Sequence, residues 1–261
     1  MLKKLINHEM KAIGRLLLPL YLVLAVLTVL DRIVINLDIF TGFATLIPGF
    51  ITFTYVILIL AVIIVSSVII VLRFYKNFMQ DEGYLMFTLP VKPSQLINSK
   101  LITSIIWSGI STVVVAVSLF GAFVTKDTFV SLWDEIAIEF ARAKEQMGGY
   151  FVIFLCELLI LIIISMVFNI LHIYSSIAIG QLFSGHKILG SFAAYIVLNI
   201  VLQVISTTII IIVSLIFKDT LVEFESVPTL ILPLTIVYVL VFNFIFYYIT
   251  NYIFKKRLNL E

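Results

Sequence analysis

Six predominantly apolar stretches, at about 13–36, 49–73, 100–124, 150–177, 188–217 and 229–254, set the terms on which this chain can fold. A bilayer core of about 30 Å is crossed by roughly 20 helical residues at 1.5 Å each, and every stretch meets that length. Backbone N–H and C=O groups find no water in hydrocarbon, so a crossing segment must satisfy them internally, as a helix does. None of the six shows the period-2 alternation of a membrane β-barrel strand. At 62% hydrophobic and 12% charged residues, the chain lies far outside the usage of globular domains in water. The expected fold class is all-α: a polytopic membrane protein with six transmembrane helices, one transmembrane domain over 1–261.

Charge distribution predicts the orientation. If the ends and loops alternate between two sides, 12 of the 17 Lys and Arg residues fall on one side and 5 on the other. The richer side holds Lys3, Lys4, Lys11, Arg15, Arg73, Lys76, Lys92, Lys100, Lys187, Lys255, Lys256 and Arg257. The positive-inside rule places that side, with both termini and the 74–99 loop, in the cytoplasm. The first apolar stretch does not read as a cleaved signal peptide, because a charged segment precedes it and no A-x-A-like site follows. The one cysteine, Cys156, leaves no internal disulfide and no cysteine metal cluster.

Two segments outside the spans are amphipathic. Residues 1–14 set Leu2, Leu5, Ile6, Met10 and Ile13 near one face and lysines on the other, which predicts an N-terminal interfacial helix. A frayed basic tail is the alternative. Residues 126–149 repeat Phe129, Leu132, Trp133, Ile136 and Phe140 at helical spacing. Asp127 or Thr128 is placed to cap that helix and Gly148-Gly149 to end it, and the segment is expected on the extracellular side.

The 74–99 loop is the main polar interlude. Asp81-Glu82-Gly83 supply a turn or helix start, Tyr84, Leu85, Met86 and Phe87 an apolar knob, and Pro90 and Pro93 a stiff exit. About 25 residues exceed what a turn between spans requires, and aromatics bracketed by charge suggest a partner's groove. The alternative lays the aromatics on lipid headgroups as an interfacial belt. Asp81 and Glu82 would sit poorly against anionic lipid.

Three blocks, FYKNFMQDEGYLMFTLPVKPSQLINSKL, SIAIGQLFSGHKILGSF and EMKAIGRLLLPLYLVL, make the chain resemble a known family. It is similar to the six-helix permease subunits of type-2 ABC exporters, in the form common in Gram-positive bacteria. The blocks cover roughly a quarter of the chain and are loop patterns rather than catalytic signatures. The resemblance implies a bacterial plasma-membrane exporter in which two permease subunits, as homodimer or heterodimer, pair with two cytoplasmic ABC ATPase subunits. ATP and magnesium would belong to those partner ATPases. It further implies that 81–90 form a coupling helix, with Asp81, Glu82, Gly83, Tyr84, Leu85, Phe87 and Pro90 as the ATPase-coupling residues. The outer loop 218–228 is shorter than the re-entrant hairpin of some relatives.

No cofactor, metal or catalytic site is expected in the chain itself, and no nucleic-acid partner. GQLFSGHK at 180–187 imitates a P-loop, but His186 displaces the Lys and Ile188 stands where Ser or Thr should hold magnesium. Gly180 and Gly185 read instead as a break and a tight turn. His8, His172 and His186 have no zinc spacing.

Two polar rows lie within the spans. Glu157, Ser165, Asn169, His172 and Ser176 fall in an arc of roughly 120° on the fourth stretch. Ser191, Tyr195, Asn199, Gln203 and Ser206 follow a near i+4 row on the fifth. Such groups avoid lipid, so they line a substrate path or bond helix to helix, and both readings stand. Glu157, Asn169, His172, Asn199 and Gln203 are the candidate pathway or helix-interface residues. Glu157 favours function and His172 favours packing. The expected function is the permease subunit of an ATP-driven exporter, not an enzyme. The alternatives are an integral-membrane lipid or peptide hydrolase using Glu157 and His172, or a non-transporting immunity or scaffold protein.

Overall fold

The computed structural model describes residues 2–36, 46–79, 93–183, 185–217 and 227–256. Among the described residues every regular element is helical. The elements are α1 (Leu2–Asn36), α2 (Leu46–Met79), α3 (Pro93–Phe123), α4 (Lys126–Met147), α5 (Phe151–Gly180), α6 (Lys187–Ile216) and α7 (Leu232–Lys256). Six helical segments are long and apolar enough to cross a membrane, the fourth of them joining α4 to α5. Their outer surfaces carry side chains that a water-soluble protein would hide, among them Leu18, Phe53, Ile64, Phe192, Leu215 and Phe244. The residues given coupling roles, Asp81 to Pro90, lie outside the described residues, as does 218–226.

The chain divides into two compact units. One contains Met1–Phe74 and Asn98–Trp133, the other Tyr75–Ile97 and Asp134–Glu261.

In the first unit α1 buries a single stripe: Glu9, Ile13, Leu17, Tyr21, Leu24, Thr28 and Asp31. The spacing of three or four residues keeps these side chains on one face of a 3.6-residue helix. They pack with Tyr55, Ile59 and Val62 of α2 and with Trp107 and Ala122 of α3. Gly14 lets the Trp107 ring lie against α1, for a Cβ there would stand 2.9 Å from the ring. On α3 a heptad of serines, Ser104, Ser111 and Ser118, keeps that helix face small and buried. At 35 residues α1 is about 52 Å long, well beyond what one crossing requires. Its 2–14 stretch is helical and continues into the first span without a break.

The helices on either side of 80–92 reach further than hydropathy indicates. α2 continues through Phe74 and Phe78 to Met79, and α3 already begins at Pro93, where a missing N–H costs a helix nothing. Phe78 belongs to the second unit and stacks on Phe254 of α7 with ring centroids 4.7 Å apart.

The start of α4 differs from expectation. Thr125 stands at the cap and Thr128 inside the first turn: Thr125 Oγ1 accepts from Thr128 N–H at 3.2 Å, and Thr128 Oγ1 accepts from Thr125 N–H at 2.6 Å. This is the reciprocal logic of a capping box, carried by two threonines. Gly148, at φ +51°, ends the helix as anticipated.

In the second unit α5 packs along both α6 and α7. The α5–α6 hairpin explains the P-loop lookalike. Gly180 closes α5 where a Cβ would stand 2.5 Å from the Ser191 backbone nitrogen, and Gly185 makes the turn at φ +94°. Only glycine satisfies both demands. Gly180→Ala should therefore lower stability by about 1–3 kcal/mol, the usual cost of overpacking. Gly149→Ala, whose added Cβ meets nothing within 4 Å, should leave it unchanged. Thermal unfolding of the purified protein in detergent checks the pair, and equal melting of both variants would contradict the close approach.

Candidate functional site

The two polar rows of the spans turn out to be divided in their surroundings. His172 and Ser176 on α5 are buried. The His172 ring sits among Tyr195 at 4.8 Å, Phe246 at 5.2 Å and Phe168 at 6.2 Å between centroids. Its Nε2 has no hydrogen-bond partner among the described residues. This is an aromatic packing position, without the Nε2 hydrogen bond that a hydrogen-bonded packing residue would make.

Toward the start of α5 the row turns outward. Asn169 is exposed and donates from Nδ2 to the Ser165 carbonyl on its own helix at 2.9 Å. On α6 Asn199 does the same to the Tyr195 carbonyl at 2.9 Å. Gln203 is also exposed, one turn further on. None of these amides ties α5 to α6 or α7. Two bonds that do so come from Asn243 and Tyr238 of α7. Asn243 Nδ2 donates to the Ile164 carbonyl at 3.1 Å, and the Tyr238 hydroxyl donates to the Leu202 carbonyl at 3.2 Å. Glu157 is half-buried, and its Oε2 is enclosed without a partner among the described residues. Glu157 and His172 stand 15 residues apart on one helix, about 22 Å along its axis, so α5 does not bring them to one centre. No group of three His, Cys, Asp or Glu residues among those described could hold a metal ion.

The strongest charged site was not anticipated. Glu9 of α1 takes Arg73 Nε on Oε2 at 2.8 Å and Lys100 Nζ on Oε1 at 2.9 Å. The Glu9 and Lys100 side chains are 4% and 5% exposed and Arg73 is 25% exposed, so water does little to screen the cluster. One carboxylate thus joins three helices inside the first unit. Arg73 and Lys100 flank the 74–99 segment in sequence, one on each helix that leads into it. A signal for this site was present: Glu9 is the one acidic residue in the first 30, and it falls on the apolar stripe of α1 at i−4 from Ile13.

Hydroxyls join the rest of that unit. Tyr21 and Ser111 share a hydrogen bond, and Ser118 bonds both Thr28 and Tyr55 at 2.6 Å. At the far end of the stripe Asp31, fully buried, accepts from Thr52 Oγ1 at 2.9 Å. Buried polar groups are costly until bonded, and here hydroxyls meet hydroxyls from facing helices.

No family model, no curated protein and no solved structure matches this chain.

Removing one partner of a buried ion cluster strands the others. Glu9→Gln should cost about 3–5 kcal/mol, because Arg73 and Lys100 would be left as like charges close together. Glu9→Gln/Lys100→Met should recover most of that loss. Thermal unfolding in lipid nanodiscs measures both, and a Glu9→Gln protein that melts like wild type would show that the cluster holds nothing.

Proposed function

We propose that this chain is the membrane subunit of an ATP-driven exporter of the type-2 ABC class, working with two cytoplasmic ATPase subunits and a second permease subunit in a bacterial plasma membrane. The observation that carries the reading is the Glu9–Arg73–Lys100 cluster. A loop that transmits force needs rigid roots. Here α2 and α3 extend as helix to either side of 80–92, and one buried carboxylate grips both of them together with α1. The Phe78–Phe254 stack gives the same stem a second anchor, on α7. Movement of Asp81, Glu82, Gly83, Tyr84, Leu85, Phe87 and Pro90 against a partner would pass directly into four helices. Interfaces and packed cores switch between discrete arrangements rather than bending smoothly, so such a lever can alternate access.

In this reading both termini and the 80–92 segment are cytoplasmic, in keeping with the 12-to-5 basic asymmetry, and 2–14 prolong the first span inward as one continuous helix rather than lying along the interface. The outward amides Asn169, Asn199 and Gln203, with Glu157, face the second permease subunit or the transported molecule, since lipid satisfies none of them. ATP and magnesium bind the partner ATPases, and this chain supplies no catalytic group. The hydrolase alternative gains nothing from the site geometry, which separates Glu157 from a ring-packed His172. Nor does any observation favour a passive scaffold, which has no need of braced loop roots.

Gly83→Pro or Phe87→Asp should leave the subunit inserted and bound in the membrane while transport per ATP hydrolysed falls at least tenfold. Co-expression with candidate ATPases, co-purification through a tag on this subunit and assay in proteoliposomes test the assignment. Recovery of the subunit without any ATPase, or wild-type coupling in both variants, would refute it.

A further inference from the structure

The elbow between α4 and α5 holds a groove that plays no part in the export reading. It is a shallow groove of about 440 Å³, open to the surface along most of its extent. Ile136 and Phe140 of α4 and Phe151 and Phe154 of α5 wall it with apolar surface. Phe140 and Phe151 meet edge to face with centroids 4.8 Å apart, which fixes the angle of one ring against the other. The chain rounds the corner at Gly148, in a left-handed conformation that glycine adopts freely. Glu135 and Glu139, one helical turn apart, stand on the rim.

The charges on that rim are only partly cancelled. Glu139 pairs with Arg142 at 2.6 Å, but both side chains are largely exposed, and such pairs are weak and open to exchange. Glu135 has no ion-pair partner among the described residues. The groove therefore places negative charge beside aromatic side chains.

We propose that the α4–α5 groove binds a lipophilic organic cation, such as a quaternary ammonium or phosphonium ion carrying aromatic or short aliphatic groups. Each half of that chemistry has its counterpart. The carboxylates attract the charge, the faces of the phenylalanine rings attract a weakly hydrated cation, and the same rings shelter its apolar body from water. A small hydrated metal ion finds no cluster of ligands here. An anion, or an anionic lipid headgroup, is repelled by Glu135 and Glu139. The inference does not depend on whether the chain works with an ATPase.

Tetraphenylphosphonium and tetraphenylborate have the same shape and opposite charge, so equilibrium dialysis of each against full-length protein in phosphatidylcholine nanodiscs isolates the effect of charge. Saturable uptake of tetraphenylphosphonium above that of protein-free discs, with none for tetraphenylborate, is the expected result. Glu135→Gln/Glu139→Gln, conservative changes on an exposed surface, should weaken binding about tenfold and flatten its salt dependence. Phe154→Ala should weaken it by a similar factor, roughly the loss of one aromatic wall. Glu145→Gln removes one charge from the same helix away from the groove and should change nothing. Uptake equal to that of protein-free discs would mean partition into the bilayer and would overturn the proposal. Equal effects of Glu145→Gln and the double variant, or no effect of Phe154→Ala, would mean diffuse charge rather than a groove and would overturn it equally.

Discussion

A bilayer interior offers no hydrogen-bond partner, so a polar side chain that enters it is costly unless it finds one in the protein. Two solutions run through this structure. Hydroxyls on outward faces turn back to their own helix: Thr54 to the Phe50 carbonyl, Ser67 to Ile63, Thr112 to Ser108 and Thr208 to Val204. Hydroxyls on inward faces reach across instead, as Ser118 does to Thr28 and Tyr55. The first solution makes serine and threonine tolerable in lipid. The second makes them adhesive, because among apolar chains a bonded pair of hydroxyls favours one alignment of two helices over its neighbours.

Charge follows the same rule with higher stakes. Glu9 is almost wholly removed from solvent, and two cations from different helices complete its shell. The net gain from such a cluster over an apolar core is small, since all three groups lose their water. What it confers is registry. A displaced helix would leave a buried ion without its partner, and few small displacements of α1, α2 and α3 avoid that. The Asp31–Thr52 contact stands at the opposite end of the α1 stripe, 22 residues or about 33 Å away, so both ends of one face are held by carboxylates.

The outward amides of α5 and α6 follow neither pattern completely. Asn169 and Asn199 are exposed and, among the described residues, bond only their own helices through the side-chain nitrogen. That is economical beside water or another protein and wasteful beside lipid. The same surfaces carry Val204, Ile210 and Leu215, which suit hydrocarbon well. The α6 face is thus mixed, with its polar residues gathered in one row rather than scattered.

Much of this was readable from residues taken in order. The six helices of membrane-crossing length among the described residues, their all-α class and the amphipathic character of α4 depend on apolar length, period and backbone satisfaction, which are properties of a segment and its solvent. The turn at Gly185 followed from local reasoning as well. The cap at Thr125 was missed because a threonine three residues before another can cap from either position, and only the helix start chooses. The Glu9 cluster was missed for a deeper reason. Its partners lie 64 and 91 residues away, and nothing in a segment records which distant helix faces it. What could be read from the residues alone was how many segments are long and apolar enough to cross a membrane and that they are helical, because lipid imposes that on each segment separately. Only the tertiary structure decided which polar groups meet, because pairing depends on the mutual rotation and register of helices that hydrophobic length leaves free.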